Sequence, residues 1–236
     1  MRAVVRSTPE ERLERLVQAA TRVFSTRGYR RTQVADVAAE LGVSAGNIYN
    51  YVASKDALFH ACLVAASPAP PGPVGYLPLA TPPPAATRRV VRDGMAAIRE
   101  GSVLEAALTV DDPDDVAAEL RAIIGDFYDR TASSRRFQAL VERSAQDLPD
   151  LFEAFFVTLR RPALDHLATY LERRIASGYL RPVPHVATTA RLINETQAWF
   201  ARHRRGDQDT ADLDADDAVI RETVIDVLVA GLIAHT

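Results

Sequence analysis

One cysteine, one lysine and one tryptophan occur in 236 residues, and each scarcity removes a class of protein. A lone thiol, Cys62, cannot close an internal disulfide, so packing must hold the fold, as suits a reducing cytoplasm. Five histidines (His60, His166, His185, His203 and His235) are scattered without metal-ligand spacing, and neither a metal nor a cofactor is expected. No glycine-rich phosphate loop, nucleophile elbow or pair of catalytic carboxylates can be placed, which disfavours an enzyme. No apolar run approaches bilayer length, and the charged stretch Met1 to Arg15 is unlike a secretory leader. A cytoplasmic protein is expected.

What the chain does have is apolar mass and an uneven charge. Hydrophobic residues make up 47% of it, enough for a sizeable core in one small and one larger domain. The net charge is −3, yet residues 1–60 hold nine basic and six acidic side chains. A basic module on an acidic body orients a molecule on a polyanion. The excess of arginine over lysine is compositional; the place of the one lysine, Lys55, is informative.

The stretch TQVADVAAELGVSAGNIYNYVASKD, residues 32–56, fits two short helices joined by a tight turn. Val34, Val37 and Leu41 recur at helical spacing, and Ala38 supplies the small side chain that a close helix crossing needs. Gly42 can take the left-handed conformation that ends the first helix, and Ser44 can cap the second through its hydroxyl. Ile48 and Val52 form the buried side of that second helix. Its outer face presents Ala45, Gly46, Asn47, Tyr49, Asn50 and Tyr51, small and hydrogen-bonding groups that could enter a DNA groove. A helical hairpin with a glycine turn also occurs in proteins that read no DNA, so the flanks matter. Upstream, Thr8 as N-cap, Pro9 at the first helical position and Glu11 closing a capping box open a helix. Its stripe is Leu13, Leu16, Val17, Ala20, Val23 and Phe24, and Gly28 stops it. Downstream, Ser54 can cap a further helix with Lys55 in its first turn, where a cation opposes the helix dipole unless a phosphate is near.

Residues 10–64 resemble the DNA-binding domain of the TetR family of transcriptional repressors, through AATRVFSTRGY, VADVAAELGVS and GNIYNYVASKDAL. Together these cover about a quarter of the chain. The resemblance implies phosphate or base contacts by Thr32 or Gln33, Ser44, Ala45, Gly46, Asn47, Tyr49, Asn50, Tyr51 and Lys55. Two positions depart from the family pattern. Gln33 stands where a Ser or Thr cap is common, so the cap could move to Thr32, and Asn50 replaces a frequent aromatic. Asparagine can pair bidentately with adenine, so base preference could differ.

The expected fold is all-α: an N-terminal three-helix HTH domain (1–66, HTH about 33–52), a proline-rich linker (67–84) and a larger C-terminal helical ligand-binding and dimerisation domain (85–236). Eight prolines between Ser67 and Pro84 stop the preceding helix by about Ala66. Helical patterns resume at about 85–100, 113–131, 133–146, 149–178, 184–204 and 214–234, with Asp111, Asp112 and Pro113 opening one and Gly178 ending another. The six aspartates from Gly206 to Asp217 read as a solvated loop. The last helix is apolar nearly all round, so Ile220, Val224, Val227, Leu228 and Leu232, with Trp199 of the helix before it, are expected at a homodimer interface. Phe127, Tyr128, Phe137, Phe152, Phe155, Phe156 and Tyr170 are candidate linings of a pocket for an unknown small-molecule effector, with Glu142 and Arg143 able to fix its polar end. The expected function is a sequence-specific regulator on double-stranded operator DNA, a repressor released by a small hydrophobic ligand. The alternative is an effector-binding or protein-interaction domain with a vestigial HTH.

Overall fold

A computed structural model describes residues 8–69, 75–206 and 215–234. The elements are α1 (Pro9–Arg27), α2 (Val34–Leu41), α3 (Ala45–Tyr49), α4 (Lys55–Ala66), α5 (Pro84–Arg99), α6 (Val103–Ala107), α7 (Val116–Ser133), α8 (Arg135–Ala145), α9 (Pro149–Phe152), α10 (Arg161–Ala176), α11 (Val186–Ala201) and α12 (Asp217–Ala230). Among the described residues the only extended pairings are two isolated bridges, Val52 with Leu79 and Leu180 with Ile233. No described helix is long and apolar enough to cross a membrane.

The expected long helix at 149–178 is not uniform, because Glu153–Arg160 winds as a π-helix between α9 and α10. Periodicity does not detect this, since eight residues make fewer than two turns at the wider winding and are too few to fix a period. The short α6 was not expected. Asp111 and Asp112 precede α7 rather than open it; Asp115 is the cap, its carboxylate accepting from Ala118 N–H. Most of the aspartate-rich stretch, 207–214, lies outside the described residues, as do 70–74 of the linker.

Packing divides the chain into two compact units that do not follow the expected linear order. One runs through Ala97 and takes in Arg136–Phe156; the other comprises Ile98–Arg135 and the chain from Val157 onward. In the first unit, Leu16, Ala20 and Phe24 of α1 meet Val37, Ile48, Leu58 and Phe59 in one buried set. Phe24, Tyr29 and Phe59 pack as rings, with centroids 5.0–6.3 Å apart. Phe137 packs over Gly94, whose missing side chain makes room for the ring.

The second unit has its own core, in which Leu120, Ile123 and Ile124 of α7 join Leu167 and Leu171 of α10, Ile193 of α11 and Ile225 and Val229 of α12. Arginines close it. Arg174, 2% exposed, donates to the Glu119 carboxylate and to the carbonyls of Ala107, Val110 and Asp111. It thereby pins the loop after α6 to α7 and α10. Arg130 donates to Asp126 and to the carbonyls of Ile98, Glu100 and Gly101, binding the end of α5. Carbonyls that irregular backbone would leave unpaired are satisfied by the multiple donors of one guanidinium.

Candidate nucleic-acid interface

The N-terminal helices begin with the expected capping box on α1. Glu11 N–H donates to Thr8 Oγ1 at 3.2 Å, and Thr8 N–H donates to the Glu11 carboxylate at 2.9 Å. Gly28 ends α1 at φ 79°, and Gly42 ends α2 at φ 67° in the left-handed region, as expected. The N-cap of α2 is Gln33, whose N–H donates to the Asp36 carboxylate at 2.7 Å. That bond, ahead of the Arg27 guanidinium, holds the Asp36 carboxyl below its ordinary range.

Of the residues expected on DNA, Gln33, Ser44, Gly46, Asn47, Tyr49 and Asn50 are exposed, while Ala45, Tyr51 and Lys55 are half-buried. They share one short segment with Ile48 and Val52 beneath it. Thr32 does not belong with them. It is 0% exposed and its hydroxyl donates to Gly28 O at 2.8 Å, so its side chain serves the turn, and the cap does not move to it. Ser44 occupies the N-cap of α3 with extended backbone but makes no side-chain cap bond.

Lys55 is held inside its own unit. Its ammonium lies 4.3 Å from the centroid of the Tyr29 ring and donates to Arg30 O at 3.3 Å. Desolvation lowers its pKa, opposed by the charges of Asp56, Asp147 and Asp36. Burial and the hydrogen bond to Asp56 push the Tyr29 phenol upward. The dipole cost expected of a cation at this helix start is therefore offset by a ring face, a carbonyl and carboxylates.

The linker returns to the N-terminal helices. Leu79 N–H donates to Tyr51 O at 2.8 Å, Ala53 N–H donates to Leu79 O at 2.9 Å, and Thr81 Oγ1 donates to Ser54 Oγ at 2.7 Å. The backbone between α3 and α4 is thus satisfied by chain from 25 to 30 residues downstream. Local sequence carries no sign of this pairing.

The seven aromatics expected to line one pocket are divided. Phe137, Phe152, Phe155 and Phe156 lie in the first unit, and Phe127, Tyr128 and Tyr170 in the second. Phe137 is fully buried, and Tyr170 donates its hydroxyl to Glu119. Arg143, expected to meet a ligand, donates instead to Thr26 O at 2.9 Å. The expected dimer residues also separate. Ile220, Val224 and Leu232 are buried within the chain's own second unit, while Leu228 and Trp199 are half-buried. Val227 is 66% exposed, as are Val219 at 58% and Leu192 of α11 at 59%. An apolar helix needs cover on every side, and one side of α12 is covered by its own core. Val219, unlike Ile220, points away from that core.

Residues 16–62 match the profile of the family described as bacterial regulatory proteins, tetR family. Over 47 residues the chain is 45% identical to the HTH-type transcriptional regulator HbdR of Aromatoleum sp. (strain CIB), a stretch that is 20% of either chain. The matched segment thus spans about a fifth of that relative. Among solved structures, the ketosteroid transcriptional regulator KstR2 of Mycobacterium tuberculosis aligns with a TM-score of 0.57 at 17% identity, covering 95% of this chain and 96% of that one. A tetR-family regulatory protein from Rhodococcus RHA1 aligns at 0.50 with 19% identity, over 98% and 100%. AibR, solved in complex with isovaleryl coenzyme A and operator DNA, aligns at 0.50 with 16% identity, over 92% and 97%. At these identities the likeness is one of fold.

Proposed function

We propose that this chain, whose residues 16–62 match the tetR family of bacterial regulatory proteins, is a homodimeric, sequence-specific DNA-binding regulator, a repressor released from its operator by a small hydrophobic molecule. The observation that carries this reading is the exposed row from Ser44 to Asn50, braced from beneath by Ile48 and Val52 and flanked by Lys55. Gln33, Asn47, Tyr49 and Asn50 are the candidates for base edges or phosphates, and Lys55 for a phosphate alone. The lysine reaches DNA by leaving the Tyr29 ring and the Arg30 carbonyl.

Exposed Val219, Val227 and Leu192 support pairing of two copies through α11 and α12. Two readers related by a two-fold axis fit a pseudo-palindrome with half-sites about one helical turn, or a multiple, apart. Release follows from linkage: an effector that binds the DNA-incompetent arrangement more tightly lowers operator affinity by that preference. Its binding groups are sought within a single unit, first among Phe152, Phe155 and Phe156, whose rings pack against one another with centroids 4.9–5.0 Å apart. Acyl coenzyme A thioesters are the first class to screen. The protein acts in the cytoplasm, where its DNA is.

A gel-shift titration against DNA upstream of its own coding sequence tests the reading. Salt-dependent binding of a dimer to a protected palindrome is the expected result. Purely non-specific binding, or a monomer at micromolar concentration, overturns it and leaves the HTH as a structural hairpin.

A further inference from the structure

The last turn of α8 carries Arg143, Asp147 follows shortly after, and both reach back to the beginning of the chain. Arg143 Nε donates to Thr26 O at 2.9 Å, taking one of the carbonyls that the end of α1 leaves without a helical partner. The Asp147 carboxylate accepts from Arg30 N–H at 2.8 Å. Between these bonds lies Gly28. At φ 79°, a Cβ there would stand 3.0 Å from Arg143 O and 3.2 Å from Asp147 Oδ2, so the turn and α8 meet backbone to backbone. Arg30 passes its carbonyl to Lys55, and Thr32, bonded to Gly28 O, leads directly into Gln33 at the start of α2. One turn therefore sets the start of the reading helices and, without DNA, holds the lysine, and α8 is what that turn is tied to.

We infer that Asp147 and Arg143 are positioning residues for DNA binding: they hold residues 28–32 in the conformation from which α2, and α3 after it, set out. The inference rests on the DNA-binding reading above. Neither residue lies in the segment that matches the family. Asp147 has two separable effects. Its oxygen organises the turn, whereas its charge, facing Lys55 together with Asp56 and Asp36, holds the ammonium back from a phosphate. The neutral amide isostere keeps the first effect and loses the second.

Full-length wild type, Asp147→Ala and Asp147→Asn are each titrated, at several salt concentrations, with the duplex that wild type selects from a random-sequence pool. Amide hydrogen exchange over residues 28–32 is followed in the same proteins without DNA. Asp147→Ala loses affinity by at least about tenfold, the equilibrium effect of one charge-assisted hydrogen bond, and the Arg30 amide exchanges faster. Asp147→Asn keeps the slow exchange and binds at least as tightly as wild type, since removing a carboxylate beside a phosphate-seeking lysine favours a polyanion; a side chain that merely props up the fold would give no such opposition of sign. Equal affinity in all three proteins, or the same loss in Asp147→Asn as in Asp147→Ala, overturns the inference. Should wild type select no duplex, the regulator reading falls instead, while the exchange arm still reports whether Asp147 holds the turn.

Discussion

In the reading element, helix starts are closed by residues three positions apart: Thr8 with Glu11, Gln33 with Asp36, Ser54 with Ala57. The second unit has such caps too, Asp115 with Ala118 among them, but its core is closed by side chains distant in sequence, as where Arg174 grips Ala107 O from 67 residues away and Arg221 pairs with Asp129 from 92. Local closure lets each N-terminal helix start unaided, although the turn between α1 and α2 still takes bonds from Arg143 and Asp147, 117 residues away. Closure at a distance makes each helix dependent on its partners. A unit of that kind can loosen its packing while its helices persist.

Five substitutions sharpen or break this contrast, beginning with the largest effect. Arg174→Ala strips Glu119 of its buried counter-charge and removes a donor from the carbonyls of Ala107, Val110 and Asp111. The second unit should lose about 3–5 kcal/mol in denaturant titration, and a loss under about 1 kcal/mol would erase the distinction drawn above. Val227→Glu places a charge on the exposed side of α12, so the monomer should keep its stability within about 0.5 kcal/mol while sedimentation shows the dimer gone and gel shifts show no operator complex. Leu228→Glu, half-buried against the core, should instead unfold the second unit in part; a dimer that survives Val227→Glu moves the interface elsewhere.

The reading element should respond in smaller and more separable steps. Asn50→Ala should relax preference at one base position by roughly 1–3 kcal/mol, read by binding to a set of single-base operator variants. An unchanged ranking would reduce Asn50 to solvated surface. Lys55→Ala should weaken binding by a similar factor for every sequence and lower the salt slope by about one counterion, because a phosphate contact carries no base information. An unaltered slope would mean that Lys55 stays with Tyr29 and Arg30 in the complex.

The same contrast explains what could be read in advance. The capping box at Thr8, the stops at Gly28 and Gly42 and the stripe from Val34 through Val37 to Ile48 are local, and the structure has them where the sequence puts them. Most helices of the second half were likewise legible from their period. What stayed hidden was long-range or too short to fix a period: the return of Leu79 to Tyr51, the packing of Arg136–Phe156 with the N-terminal unit, and the π-helical winding after Phe152. Thr32 misled for a related reason, since a threonine beside a helix start reads as a cap or a contact until the carbonyl that takes its hydroxyl is known. On α12, composition shows an all-round apolar surface without showing which stripe is already covered.

The bond between Arg30 N–H and Asp147 spans 117 residues, which bears on how the protein is made. At about 5–20 residues per second, a ribosome that has produced Arg30 needs roughly 6–23 seconds more to produce the carboxylate that closes its turn, and the exit tunnel adds further delay. Throughout that interval the nascent N-terminus has its local caps and glycine stops but not its brace. A growing chain of this kind closes the turn between α1 and α2 only after the residues beyond α8 have emerged.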